Sequence, residues 1–162
     1  MKAVLYFVPL GKHGKPAKTF KTLHLTGPAA ELSGPFNLNG IRAADHGRVL
    51  IVAHTTNGAL YTVNLRTGAS AGIAGIRVPN VDGLVLSGRK LWAVRNTDNQ
   101  IMRIRLNADL TAGTVKRTIT SKNFETPTAA ARSGHILAVV QAKFNTGFPP
   151  TAETFDIVLV HD

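Results

Sequence analysis

Asp82 opens the run Asp82-Gly83-Leu84-Val85-Leu86 and is one of only nine acidic residues in a chain of formal net charge +10. Asp-Gly is a favoured tight-turn pair. A carboxylate at the mouth of an apolar strand is equally a candidate site residue whose partners lie elsewhere in the chain. Asn39-Gly40, ahead of Ile41, carries the same two readings. Other reactive-looking patterns fail on their context. Gly68-Ala69-Ser70-Ala71-Gly72 fits the Gly-x-Ser-x-Gly string, but a nucleophile elbow requires a strand-turn-helix and no helical pattern follows. The six histidines have no metal-ligand spacing. The acids do not cluster, so no carboxylate pair of glycosidase type is indicated. Gly11-Lys12-His13-Gly14-Lys15 lacks the phosphate-loop spacing and reads as a hairpin loop.

The elements that must position Asn39 and Asp82 emerge from an internal repeat. Leu5–Leu10, Leu60–Leu65 and Ile101–Leu106 share the pattern apolar-x-x-Val/Ile-x-Leu, and Phe155–Val160 follows it more loosely. Between these lie pairs of strands. Asn39–Ala44 leads to Val49–His54, Asp82–Leu86 to Lys90–Arg95, and Thr128–Arg132 to His135–Val140. The repeat recurs about every 45 residues, with short strands split by Gly-rich turns, which is the spacing of four-stranded propeller blades. The reading is an all-β chain of 13 strands in a single partial β-propeller domain. Residues 1–27 end one blade, 37–78 and 80–120 form two whole blades of four antiparallel strands, and 126–162 form a three-stranded last blade. Helical periodicity is weak, and Pro28–Leu32 offers at most one turn. Closed propellers need at least four blades. The expectation is therefore an incomplete ring, completed by an N-terminal propeller half or by a second copy of the chain.

Composition narrows the function classes. With 162 residues, 44% hydrophobic and 17% charged, the chain has the make-up of one globular domain with a real core. No apolar run is long enough to span a membrane. The start, Met1–Leu10, has no small-residue cleavage pattern behind it and reads as a strand rather than a signal peptide. Absence of cysteine excludes disulfides and thiolate zinc sites and leaves the compartment open. The 19 basic residues are spread along the chain, with one local cluster of Lys12, Lys15, Lys18 and Lys21 about a turn. That spread describes solvated surface rather than a nucleic-acid face. Trp92 is expected to pack between blades.

Asn39-Gly40-Ile41, Asp82-Gly83-Leu84 with Lys90-Leu91-Trp92-Ala93-Val94, and Pro127-Thr128-Ala129-Ala130 together resemble the C-terminal half of the senescence-marker-protein/gluconolactonase family. These are six-bladed propellers that include regucalcin and bacterial lactone hydrolases. The resemblance implies that the starts of the innermost strands line one channel mouth holding a divalent cation, commonly calcium. Asn39 and Asp82 would be metal ligands there, with Asp82 also the general base for hydrolysis of a small-molecule lactone or related ester. His54, Asn96, Thr128 and Lys143 would form the substrate rim, and the loop between Gln141 and Thr154 a partial lid. The family's glutamate ligand has no counterpart here, Pro79-Asn80-Val81 displaces the usual Pro-Asp contact, and Thr128 offers only a hydroxyl. The isolated chain is thus expected to bind metal poorly and to catalyse little. A noncatalytic propeller scaffold, binding a small molecule or protein at the mouth, is the alternative.

Overall fold

A computed structural model describes residues 2–162 as an all-β structure of four antiparallel sheets, a partial propeller. Strands β1 (Val4–Phe7) and β2 (Lys21–His24) pair as a two-stranded sheet. β3 (Leu38–Ala44), β4 (Val49–His54), β5 (Ala59–Asn64) and β6 (Ser70–Gly72) follow in order as a four-stranded blade. β7 (Val81–Ser87), β8 (Lys90–Arg95), β9 (Gln100–Leu106) and β10 (Gly113–Thr120) make the next. β11 (Pro127–Ser133), β12 (Ile136–Gln141) and β13 (Ile157–His161) close the series with three strands. The only helical pieces among the described residues are short 3-10 turns, including Pro28–Ala30.

The second strand of each blade explains the packing. Val49–His54 and Lys90–Arg95 are almost continuously apolar, as strands covered on both faces must be, and Ile136–Gln141 has the same character although only one of its faces is covered in this chain. Alternation along β4 sends Ile51 and Ala53 toward the β7–β10 blade and Val52 toward the first sheet. Along β8, Leu91 and Ala93 join the core shared with the preceding blade, while Trp92 and Val94 join the core shared with the following one. Three separate cores result, one at each blade junction. Trp92 is fully buried in the last of them, beneath Leu137 and Val139, with the Arg132 guanidinium 4.9 Å above its ring. Packing between blades is the role read from sequence, and it holds.

On the last blade the alternation leaves one face uncovered. Leu137, Val139, Val158 and Val160 turn inward. The opposite face carries rows Ala129–Val140–Ile157 and Ala131–Ala138–Leu159, with Ile157 and Leu159 at 64% and 66% exposure. On the first sheet Leu5 packs inward, whereas Tyr6 and Phe20 meet edge-to-face on the exposed side. Ser70, from the Gly-x-Ser-x-Gly string, is structural: its hydroxyl donates to the Thr26 carbonyl at 2.5 Å and accepts from the Ala29 N–H at 2.9 Å.

Candidate functional site at the mouth of the inner strands

Neither Asn39-Gly40 nor Asp82-Gly83 forms a turn. Each lies within an innermost strand, at a register shift against the second strand of its blade. Pairing steps from Leu38–His54 to Ile41–Val52, from Val81–Arg95 to Leu84–Ala93, and from Pro127–Gln141 to Ala129–Val140. One extra residue on the inner strand makes a β-bulge at the same place in all three blades, and bulges re-aim side chains. Here they turn Asn39, Asp82 and Thr128 toward a common cavity. The turn reading is corrected for both pairs.

The glycines have a different task. A methyl group on Gly40 would lie 2.3 Å from the Asp82 carbonyl oxygen, and one on Gly83 would lie 2.5 Å from the Thr128 carbonyl oxygen. Backbones of adjacent inner strands therefore approach more closely than any Cβ permits. Glycine brings the three bulges together around one opening.

Side chains one residue beyond the second strands lock this arrangement. The Thr55 hydroxyl donates to the Val81 carbonyl at 2.7 Å, and the Asn96 amide donates to the Pro127 carbonyl at 3.0 Å. Each bond joins one blade to the next. Just before Asp82, Asn80 holds a left-handed backbone (φ 55°) and donates its amide to Asp98. The Pro79 carbonyl accepts from Arg95 Nε at 3.0 Å, and Arg95 also pairs with Asp98.

The cavity has a volume of about 540 Å³. Asn39, Thr55, Asp82, Asn96 and Thr128 provide its polar floor, with Asn80 and Thr97 at one side. Phe36, Phe144 and Phe148 form an aromatic wall, in which Phe148 meets Phe144 edge-on at 5.1 Å and Phe36 at 6.4 Å. The 3-10 turn Phe144–Thr146 places two of these rings, within the loop read as a partial lid. A larger groove of about 720 Å³ lies at the opposite end of the inner strands, near Ala44 and Gly88. Asp45, Arg89 and Asp109 are among its lining residues, and Asp45 is paired with Arg48 at 2.7 Å.

Among the described residues Asp82 is the one ionisable side chain lining the 540 Å³ cavity. Burial pushes its carboxyl up to about 6 from the ordinary 3.8, and a hydrogen bond from Asn39 pulls more weakly the other way. The Asn96 amide lies 3.4 Å from Asp82 Oδ2, and the Asn39 amide contacts Thr55 Oγ1 at 3.4 Å.

Four of the six residues singled out in the sequence thus meet: Asn39, Asp82, Asn96 and Thr128. His54 and Lys143 do not line the cavity. His54 is completely buried, with Nε2 3.0 Å from the Glu31 carbonyl and Nδ1 accepting the Asn57 N–H at 3.2 Å. The strand register equates it with Arg95 and Gln141, each of which likewise fastens local backbone. Thr55, one residue on, takes the rim position. Lys143 is drawn away by Asp156 at 2.6 Å and Glu125 at 3.5 Å, and so anchors the loop that carries Phe144. Sequence reading missed Thr55, Thr97 and Phe36. Thr55 was recoverable from its equivalence to Asn96, one past the strand end.

A calcium ion takes six to eight oxygen ligands, several of them carboxylate. This mouth offers one carboxylate with amide and hydroxyl oxygens, and among the described residues no three His, Asp or Glu side chains gather anywhere. The donor set does not by itself fit calcium. The Asn39 amide, moreover, turns its N–H toward the carboxyl.

No family model matches the sequence, and no curated protein matches it. Solved structures do. The chain is similar to a 6-phosphogluconolactonase-like protein from Bacteroides uniformis (TM-score 0.58, 13% identity, 95% of this chain and 46% of that one). It is similar to the β-propeller domain of Cps50 (Swd1) from Myceliophteria thermophila (TM-score 0.52, 17% identity, 74% and 41%). It is also similar to the PQQ-bound aldose sugar dehydrogenase of Streptomyces coelicolor (TM-score 0.52, 16% identity, 86% and 50%). At these identities the likeness is one of fold. The chain spans about half the length of the structures it matches.

Proposed function

We propose that this chain forms about half of a gluconolactonase-like propeller ring whose mouth hydrolyses lactones or related esters, with Asp82 as general base. One observation carries the reading: among the described residues the only ionisable group on the cavity wall is a carboxyl raised to about 6, beside two side-chain amides. A base whose pKa lies near the working pH combines a large charged fraction with useful basicity. In the proposed step the Asp82 carboxylate accepts a proton from water as the water oxygen bonds to the carbonyl carbon. As Asp82 takes the proton and loses its charge, the Asn39 and Asn96 N–H groups that faced its carboxylate are released to the oxyanion, while the Asn96 bond to the Pro127 carbonyl stays in place. On collapse the ring C–O bond breaks, and the leaving alkoxide takes the proton back from Asp82.

The fold likeness to a lactonase-like protein supports this reading, as do the family motifs about Asn39 and Asp82. Remaining blades would come from an N-terminal propeller half or a second copy, packed on the uncovered apolar faces. Calcium would need further oxygen ligands from those blades. A noncatalytic mouth that binds a small molecule is the second reading, and the exposed aromatic wall speaks for it. Turnover separates the two. On 3,4-dihydrocoumarin, kcat/KM should rise with pH through about 6 as Asp82 deprotonates, and Asp82→Asn should lower it at least 100-fold, within the usual range for general-base loss. Undetectable hydrolysis by the completed ring, this chain joined by its partner blades, across that pH range leaves only the binding reading.

A further inference from the structure

The chain has 19 Lys and Arg residues, yet among the described residues none lines the part of the mouth that this chain forms. The two cations adjacent in sequence to lining residues are both committed elsewhere. Lys143 is held by Asp156 and Glu125. Arg95 is held by Asp98, the Gln100 side chain and the Pro79 carbonyl. Phosphate and carboxylate groups are bound by free guanidinium or ammonium groups, or by clustered backbone N–H donors. This opening presents to a ligand one carboxylate and side-chain amides and hydroxyls instead. An anion seated beside Asp82 would face like charge in a half-buried setting, which disfavours it strongly.

Opposite that floor stand apolar surfaces in unusual exposure. Phe148 is 75% exposed and Phe36 55%, although their rings are fixed against each other and Phe144. The loop bearing Phe144 and Phe148 is stiffened by the Phe144 N–H donating to Thr126 Oγ1 at 2.7 Å and by Thr146 Oγ1 donating to the Lys143 carbonyl at 2.7 Å. Exposed aromatic side chains that are already ordered present large contact area at little further entropy cost.

Building on the hydrolase reading, we propose that this mouth selects uncharged esters or lactones bearing a flat or alkyl apolar flank, and excludes phosphorylated and carboxylated ones. The apolar flank lies against Phe148 and Phe36, and the carbonyl faces Asp82 and Asn96. Phe148 and Phe36 are the specificity-determining residues.

The test is binding of three probes to the full 162-residue chain, followed by amide chemical-shift changes so that the site is located: 3,4-dihydrocoumarin, glucono-δ-lactone and 6-phosphogluconate. Dihydrocoumarin should shift resonances of residues 36, 144 and 148 and bind at least ten times more tightly than glucono-δ-lactone. Phe148→Ala, on an exposed loop where folding is not at stake, should weaken it five-fold or more. 6-Phosphogluconate should leave those resonances unmoved, even if it binds elsewhere on so basic a surface. Equal or tighter binding of the phosphorylated probe at the mouth overturns the inference. So does dihydrocoumarin binding that is absent or indifferent to Phe148→Ala. Aromatic-dependent binding with no turnover by the completed ring would sink the hydrolase reading and leave the specificity intact. Turnover unaffected by Phe148→Ala would do the reverse.

Discussion

Asp82 sits where a carboxylate is costly. Its charged form loses solvation, and only an Asn39 hydrogen bond and a long contact from Asn96 compensate. Because the folded-state pKa is raised, folding is most favoured with the group protonated, and that advantage is lost as pH rises from about 4 through about 6. Asp82→Asn, neutral and of the same shape, should therefore stabilise the protein at pH 8. A two-unit shift discounted for partial solvent screening gives about 1–2 kcal/mol. Thermal melts should show the gain shrinking through pH 6 and vanishing near pH 4. A gain independent of pH would mean that Asp82 does not carry the charge cost. Retention of a destabilising residue is what a functional group requires, and stability is commonly the quantity lost at such sites.

The bulge shared by β3, β7 and β11 does the positioning, and its glycines are its most sensitive points. Gly40→Ala and Gly83→Ala would each drive a methyl group into a neighbouring strand's carbonyl oxygen, where no rotamer offers relief. Overpacking of this kind costs about 2–3 kcal/mol. Gly72→Ala, with nothing within 4 Å, should stay within about 0.5 kcal/mol of the parent in urea unfolding. Equal effects at all three positions would show that blade approach does not depend on Gly40 and Gly83. The strands themselves were legible in the sequence, since two-sided burial leaves continuous apolar runs such as Val49–Ala53 and Leu91–Val94. The site was legible in part. Asn39 and Asp82 stood out by their place in the repeat, but the dipeptides Asn-Gly and Asp-Gly imitate hairpin turns, and a bulge depends on a partner strand that local sequence does not display. His54 was misplaced for a related reason. A shift of one residue along a strand reverses the face, so Thr55 reaches the mouth and His54 the interior. Lys143 was lost to Asp156 and Glu125, a tertiary pairing invisible to spacing.

At the scale of the whole molecule the two terminal sheets present faces that an inner blade would bury. Ile157 and Leu159 on one, and Tyr6 and Phe20 on the other, form patches of a kind that marks association. In light scattering the 162-residue chain alone should exceed its 17.3 kDa monomer mass, and Ile157→Lys with Leu159→Lys should return it toward that value. A parent chain that stays monomeric would argue against a second copy and for an N-terminal propeller half as the source of the remaining blades. The similar solved structures are roughly twice as long as this chain. The three junction cores have a further consequence. Each is shared by just two neighbouring sheets, so cohesion passes along the arc as it does along a stack of coins, from neighbour to neighbour. The β3–β6 and β7–β10 blades are each gripped from both sides and the outer sheets from one only. Order is therefore graded, highest in the two blades that carry Asn39 and Asp82, and loosening begins at the rims of the arc.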